Sequence, residues 1–154
     1  MSHSDADSQV PANDPLLTDL LPTLDVLAPI RRHRLTMAEQ AWQRHYSVLT
    51  ALRSRLAEMT DQLLQLQDSQ RAARQQQRDE HLNRCLALRE MNEWLAVEQQ
   101  ALRQIERFEQ NLKNLQVECR QQQHWTDESQ QQLRRRQRDM EKLDYLLDLS
   151  RAVS

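Results

Sequence analysis

Two arginine clusters hold most of the chemistry this chain can offer. Arg31, Arg32, His33 and Arg34 form the first, and Arg134, Arg135, Arg136 and Arg138 form the second, about a hundred residues further on. A guanidinium stays charged at any physiological pH and presents forked donors that match carboxylates and phosphates. The chemistry implied is therefore anion recognition rather than bond making. The five histidines, His3, His33, His45, His81 and His124, include no pair at metal-ligand spacing, and no cysteine lies near enough to complete a site, so no metal is expected. Cys85 and Cys119, if both lie on one helix, are separated by roughly 50 Å at the usual rise, which rules out an internal bridge and suits a reducing cytoplasm. With no glycine anywhere, no glycine-rich phosphate loop can form. A Ser, His and acid triad would need a scaffold of strands that this chain does not suggest. No catalytic or cofactor-binding residue is assigned, no cofactor is expected, and the chain reads as non-enzymatic.

The elements that must position the arginines are helices. From Leu35 onward apolar positions recur at alternating steps of three and four: Leu35, Ala38, Trp42, His45, Leu49, Leu52, Leu56, Met59, Leu63, Leu66, Gln70, Ala73. This is a heptad seam. So narrow a stripe cannot close a globular core and must find a partner helix. Charged residues make up 29% and aromatics 4%, with glutamine triplets at Gln75, Gln121 and Gln130, so there is little large apolar side chain to enclose a substrate. The net charge of −2 conceals an asymmetry, because Asp5, Asp7, Asp14, Asp19 and Asp25 are unopposed by any Lys or Arg before Arg31. The longest mostly apolar stretch, residues 16–30, is broken by Asp19, Pro22, Asp25 and Pro29 and does not read as a membrane span; no secretion signal is evident.

The fold class expected is all-α: an elongated antiparallel two-helix coiled-coil hairpin with a flexible N-terminal leader. The leader, residues 1–28, carries three of the four prolines, with Pro29 at its edge. Residues 1–13 read as disordered. Asp14-Pro15 then caps a short amphipathic turn of Leu16, Leu17, Leu20 and Leu21 that Pro22 stops, a segment that either folds back on the hairpin or docks in a partner groove. The hairpin proper spans 29–151, with helix A over about 30–79, a turn over about 80–86 and helix B over about 86–151. The second seam reads Leu88, Met91, Leu95, Glu98, Leu102, Ile105, Phe108, Leu112, Leu115 and onward to Leu147. Its two successive steps of three at Leu102, Ile105 and Phe108 make a stammer, which overwinds a supercoil. The turn is inferred from the loss of phase around Asn83. A single continuous helix that dimerises is the alternative.

Folding about position 83 pairs residue i with about residue 166 − i. Trp42 then falls beside His124 and Trp125, and Trp94 near Ala72 and Ala73. The same register joins Arg31, Arg32 and Arg34 to Arg134, Arg135, Arg136 and Arg138 as one basic collar at the open end of the hairpin. Like charges gathered on both helices, with Arg136 on the seam itself, weaken the pairing there. Such a cost suggests a partner that supplies acidic groups.

The start Ile30-Arg31-Arg32-His33-Arg34-Leu35 and the closing stretch Arg134-Arg135-Arg136-Gln137-Arg138-Asp139-Met140-Glu141-Lys142-Leu143-Asp144-Tyr145-Leu146-Leu147 resemble the central stalk proteins of type III secretion systems, the YscO/FliJ type with its InvI/SpaM branch. The resemblance covers residues 30–150. It implies a cytoplasmic, monomeric helical hairpin, peripheral to the membrane through the export apparatus. Its paired helix ends would enter a hexameric secretion ATPase, contact the export gate protein and handle export chaperones; members of the family can themselves be exported. The collar of Arg31, Arg32, Arg34, Arg134, Arg135, Arg136 and Arg138 would meet the ATPase. The acidic, proline-bearing leader departs from the family pattern, in which the first helix starts almost at once. Two other classes compete: a generic coiled-coil tether, and a nucleic-acid-associated coiled coil. Against the latter stand the negative net charge and the absence of aromatic residues within the basic runs, so no nucleic acid partner is expected.

Overall fold

The computed structural model describes residues 15–81 and 87–153. They form two long helices, α1 (Pro15–His81) and α2 (Leu88–Val153), which pack against each other as an antiparallel hairpin. The chain divides into two compact units: unit 1 joins the first part of α1, up to Tyr46, to α2 from Trp125 onward, and unit 2 spans Ser47–His124. The expectations for residues 1–14 and for the turn at Asn83 lie outside the described residues. At the start of α2 the amide of Met91 donates to the carbonyl of Ala87 at 3.1 Å, closing the first helical turn, and Glu90 there favours the helix dipole. Arg78 does the same at the last turn of α1.

The first correction concerns where α1 begins. It starts at Pro15 and runs through both Pro22 and Pro29, where the sequence reading placed a stop and a new start. The reason lies in the seam. Leu21, Leu24, Ala28 and Arg31 continue the three-four spacing of Leu35 and Ala38 backward, and all of them are buried or half-buried. Both prolines sit on the exposed side of the helix, away from the seam. In unit 1, Leu24 and Ala28 join Met140, Leu143 and Leu147 in a core against which Leu21 and Leu35 also pack. Full burial of each leucine stabilises by roughly 1.5–3 kcal/mol. Packing of this size offsets a proline penalty of about 3 kcal/mol.

The second correction concerns α2. Leu88, Met91, Leu95 and Leu102 are exposed, and Glu109, Gln123, Gln130, Asp139 and Leu149 are half-buried beside a stripe of buried or half-buried residues at Trp94, Glu98, Ala101, Ile105, Phe108, Leu112, Leu115, Cys119, Gln122, Thr126, Ser129, Leu133, Arg136, Met140, Leu143, Leu147 and Ser150. The steps of this stripe alternate strictly by four and three, so α2 carries no stammer. The phase slip sits in α1 instead, where Leu66, Gln70 and Arg74 follow at successive steps of four and Ala73 is exposed. Two steps of four are a stutter, which underwinds the supercoil locally.

Cross-helix bonds fix the register. The numbers of the cross-helix pairs Arg31–Asp139, His45–Thr126 and Arg74–Glu98 add to 170, 171 and 172, and those of Arg53–Gln123, Gln67–Glu109 and Asp25–Arg151 add to 176, rather than 166. The expected pairing is thus displaced by about five residues at the first three pairs and by ten at the others. In unit 2 the Arg74–Glu98 ion pair closes at 2.6 Å, Gln67 donates to Glu109, and Arg53 to Gln123. Trp94 packs beside Ala73 as expected, lining a small recess with Gln70, Arg74 and Gln77, and its ring lies 6.4 Å from that of His81. Trp42 instead stacks on Tyr46 of its own helix, with centroids 5.4 Å apart.

Candidate functional site

Arg31 and Arg136 occupy seam positions on opposite helices of unit 1, one heptad step from Ala28 and Leu35 and from Leu133 and Met140 respectively. A seam site forces a long side chain to lie along the interface, burying its methylenes while the guanidinium seeks polar company. Arg31 solves this by donating from Nη1 to the Asp139 backbone carbonyl at 3.3 Å. Together Arg31, Arg34 and Arg136 line a cavity of about 110 Å³ whose fourth wall is Asp139. Three of the seven collar residues are thereby brought to one site. Arg32, Arg134, Arg135 and Arg138 are exposed and do not line it.

The collar is not at the open end. The apolar layers of Leu24, Ala28, Met140, Leu143 and Leu147 lie on one side of it and Ala38 and Leu133 on the other, because α1 begins ahead of both prolines. The seam is richest, rather than poorest, beyond the arginines. Asp139 is the residue of this site that lies outside the expected collar. Its spacing of three from Arg136 puts the two on one helix face, and that spacing was the available signal.

Charge in the cavity is unbalanced. Among the described residues no carboxylate lies within ion-pair distance of Arg31, Arg34 or Arg136, whereas Arg74 finds Glu98 and Arg151 finds Asp25 at 3.7 Å. At 4 Å two like charges repel by about 1 kcal/mol in water and about 4 kcal/mol at an effective dielectric of 20. A second concavity in unit 1 is lined by His45, Trp125, Glu128, Ser129 and Gln132; there Thr126 Oγ1 donates to the His45 carbonyl at 3.2 Å.

No family model, curated protein or solved structure matches the chain.

Among the described residues no group of three or more His, Cys, Asp or Glu could hold a metal ion, and no helix is long and apolar enough to cross a membrane. Cys119 is buried on the α2 seam, while Cys85 falls outside the described residues. The arginine collar is the strongest candidate for function, since it is the place where both helices contribute charge that the fold itself leaves unanswered.

Proposed function

We propose that this protein is a non-enzymatic central stalk of a type III secretion export apparatus. Its paired helices enter the hexameric secretion ATPase, couple it to the export gate protein and handle export chaperones. The observation that carries the reading is the antiparallel pairing of α1 and α2 with arginines from both helices gathered in unit 1. Two sequence stretches that resemble the stalk family meet at that place. The start of α1 at Pro15, ahead of both internal prolines, also brings the chain nearer the family pattern of an early first helix. In this reading the layers of Leu24, Leu143 and Leu147 form the leading segment and the arginines a basic band behind it, facing acidic groups of the ring. Localisation would be cytoplasmic, at the export apparatus.

The test is stimulation of the cognate secretion ATPase by the full chain and by a variant with Arg134→Glu, Arg135→Glu and Arg138→Glu. All three positions are exposed, so helicity should be unchanged while stimulation falls at least tenfold. Undiminished stimulation by the variant, or none by the parent chain, would count against the stalk. A coiled-coil tether is the second reading, favoured by Leu88, Met91, Leu95 and Leu102. These follow heptad spacing on the exposed side of α2, with Leu88 74% exposed, and would suit a further helix.

A further inference from the structure

We infer that the cavity between Arg31, Arg34 and Arg136 is a binding site for a phosphate group, in its dianionic form. This inference rests on the cavity itself and does not require the stalk reading.

The cavity draws one wall from α1 and one from α2, and the residues that line it are three arginines and one aspartate. That leaves two uncompensated positive charges. Elsewhere in the hairpin, Arg74 and Arg151 have carboxylate partners across the helices, Glu98 and Asp25, and Arg53 donates to the Gln123 amide oxygen. Here the fold offers a backbone carbonyl to Arg31 and no carboxylate within ion-pair distance of any of the three. A single carboxylate from a partner would neutralise half the excess. A phosphate carries about −1.5 to −2 at neutral pH and three acceptor oxygens, which matches both the charge and the number of guanidiniums. Arginine forks bind phosphate oxygens in pairs, and two of these forks start from seam positions on rigid helices, so little ordering remains to be done on binding. The volume of about 110 Å³ far exceeds the roughly 10–15 Å³ that one water needs. Arg32, Arg134, Arg135 and Arg138 are solvated and take no part. The collar therefore divides into an inner anion site and an outer basic surface.

The same phosphate chemistry could come free in solution or on a lipid headgroup, and two arms separate these sources. In the first, the full chain with ¹⁵N-labelled arginine is titrated with inorganic phosphate at constant ionic strength, and the side-chain Nε resonances are followed. Saturable shifts are expected at Arg31, Arg34 and Arg136 and not at Arg134, Arg135 or Arg138. Arg34→Gln, at an exposed position, should weaken binding about tenfold without loss of helicity. In the second, phosphatidylcholine vesicles with and without phosphatidic acid are sedimented with the protein. Co-sedimentation that needs phosphatidic acid and is lost in Arg34→Gln assigns the headgroup, and phosphate binding without co-sedimentation assigns the free ion. The inference is overturned if chloride at equal ionic strength reproduces the shifts, if they spread evenly over all the arginines, if Arg34→Gln leaves binding unchanged, or if neither arm shows binding.

Discussion

Ser150 is fully enclosed on the α2 seam, and its hydroxyl has no hydrogen-bond partner. A buried donor left unsatisfied costs about 1–3 kcal/mol, more than the small loss of packing on removing one oxygen. Ser150→Ala should therefore raise the free energy of unfolding by about 1 kcal/mol in urea denaturation; a loss of stability would mean that the hydroxyl is bonded after all. Thr126 provides the contrast, since its hydroxyl is buried yet bonded across the interface to the His45 carbonyl. Single residues were legible in proportion to how little they depended on register. Arg31, Arg34 and Arg136 met because both clusters are long enough to absorb a displacement of about five residues. The stacking of Trp42 on Tyr46, four residues along its own helix, needs no register at all.

At the scale of the helix, Pro22 and Pro29 are the test of what wins. Local propensity says that a proline ends a helix, and tertiary packing of Leu21, Leu24 and Ala28 against Met140, Leu143 and Leu147 says that this one continues. The spacing that carries α1 through the prolines was present in the sequence, but it was outweighed there by the proline rule. Replacing both prolines by alanine should raise stability by about 4–5 kcal/mol, the helix-interior penalty of each less the entropy each removes from the unfolded chain. A fall in the melting temperature by circular dichroism would instead support separate helices capped by those prolines. The α2 seam makes a second comparison possible. Leu102 is 40% exposed and Ile105 is 9% exposed, although both were read as seam residues. Leu102→Gln should change stability by less than about 0.5 kcal/mol, as surface changes usually do. Ile105→Ala should cost about 2–5 kcal/mol, as large-to-small changes in cores do. Equal costs at the two sites would restore the stammer. The misreading arose because the leucines of this region lie one position away from the seam, and apolar residues alone do not say which of two adjacent stripes is covered.

For the molecule as a whole, the antiparallel pairing of two long helices was legible from the glycine-free heptads together with their loss of phase around Asn83, while the register was not. No glycine or proline marks the turn, and a heptad seam pairs almost as well one turn further along. The consequence is functional, because register decides whether the arginines stand at the open end of the hairpin or behind a packed apolar segment. It also decides which arginines share a cavity. The most direct measurement is intramolecular cross-linking of Asp25→Cys with Arg151→Cys in a chain whose own Cys85 and Cys119 are replaced by serine. The parent side chains approach to 3.7 Å across the helices. A short bismaleimide should join the pair rapidly within a monomer, and should fail with Asp25→Cys paired to Glu141→Cys, the partner that pairing about residue 83 would select. Efficient linkage at Glu141→Cys, or linkage only between two chains, would contradict the account.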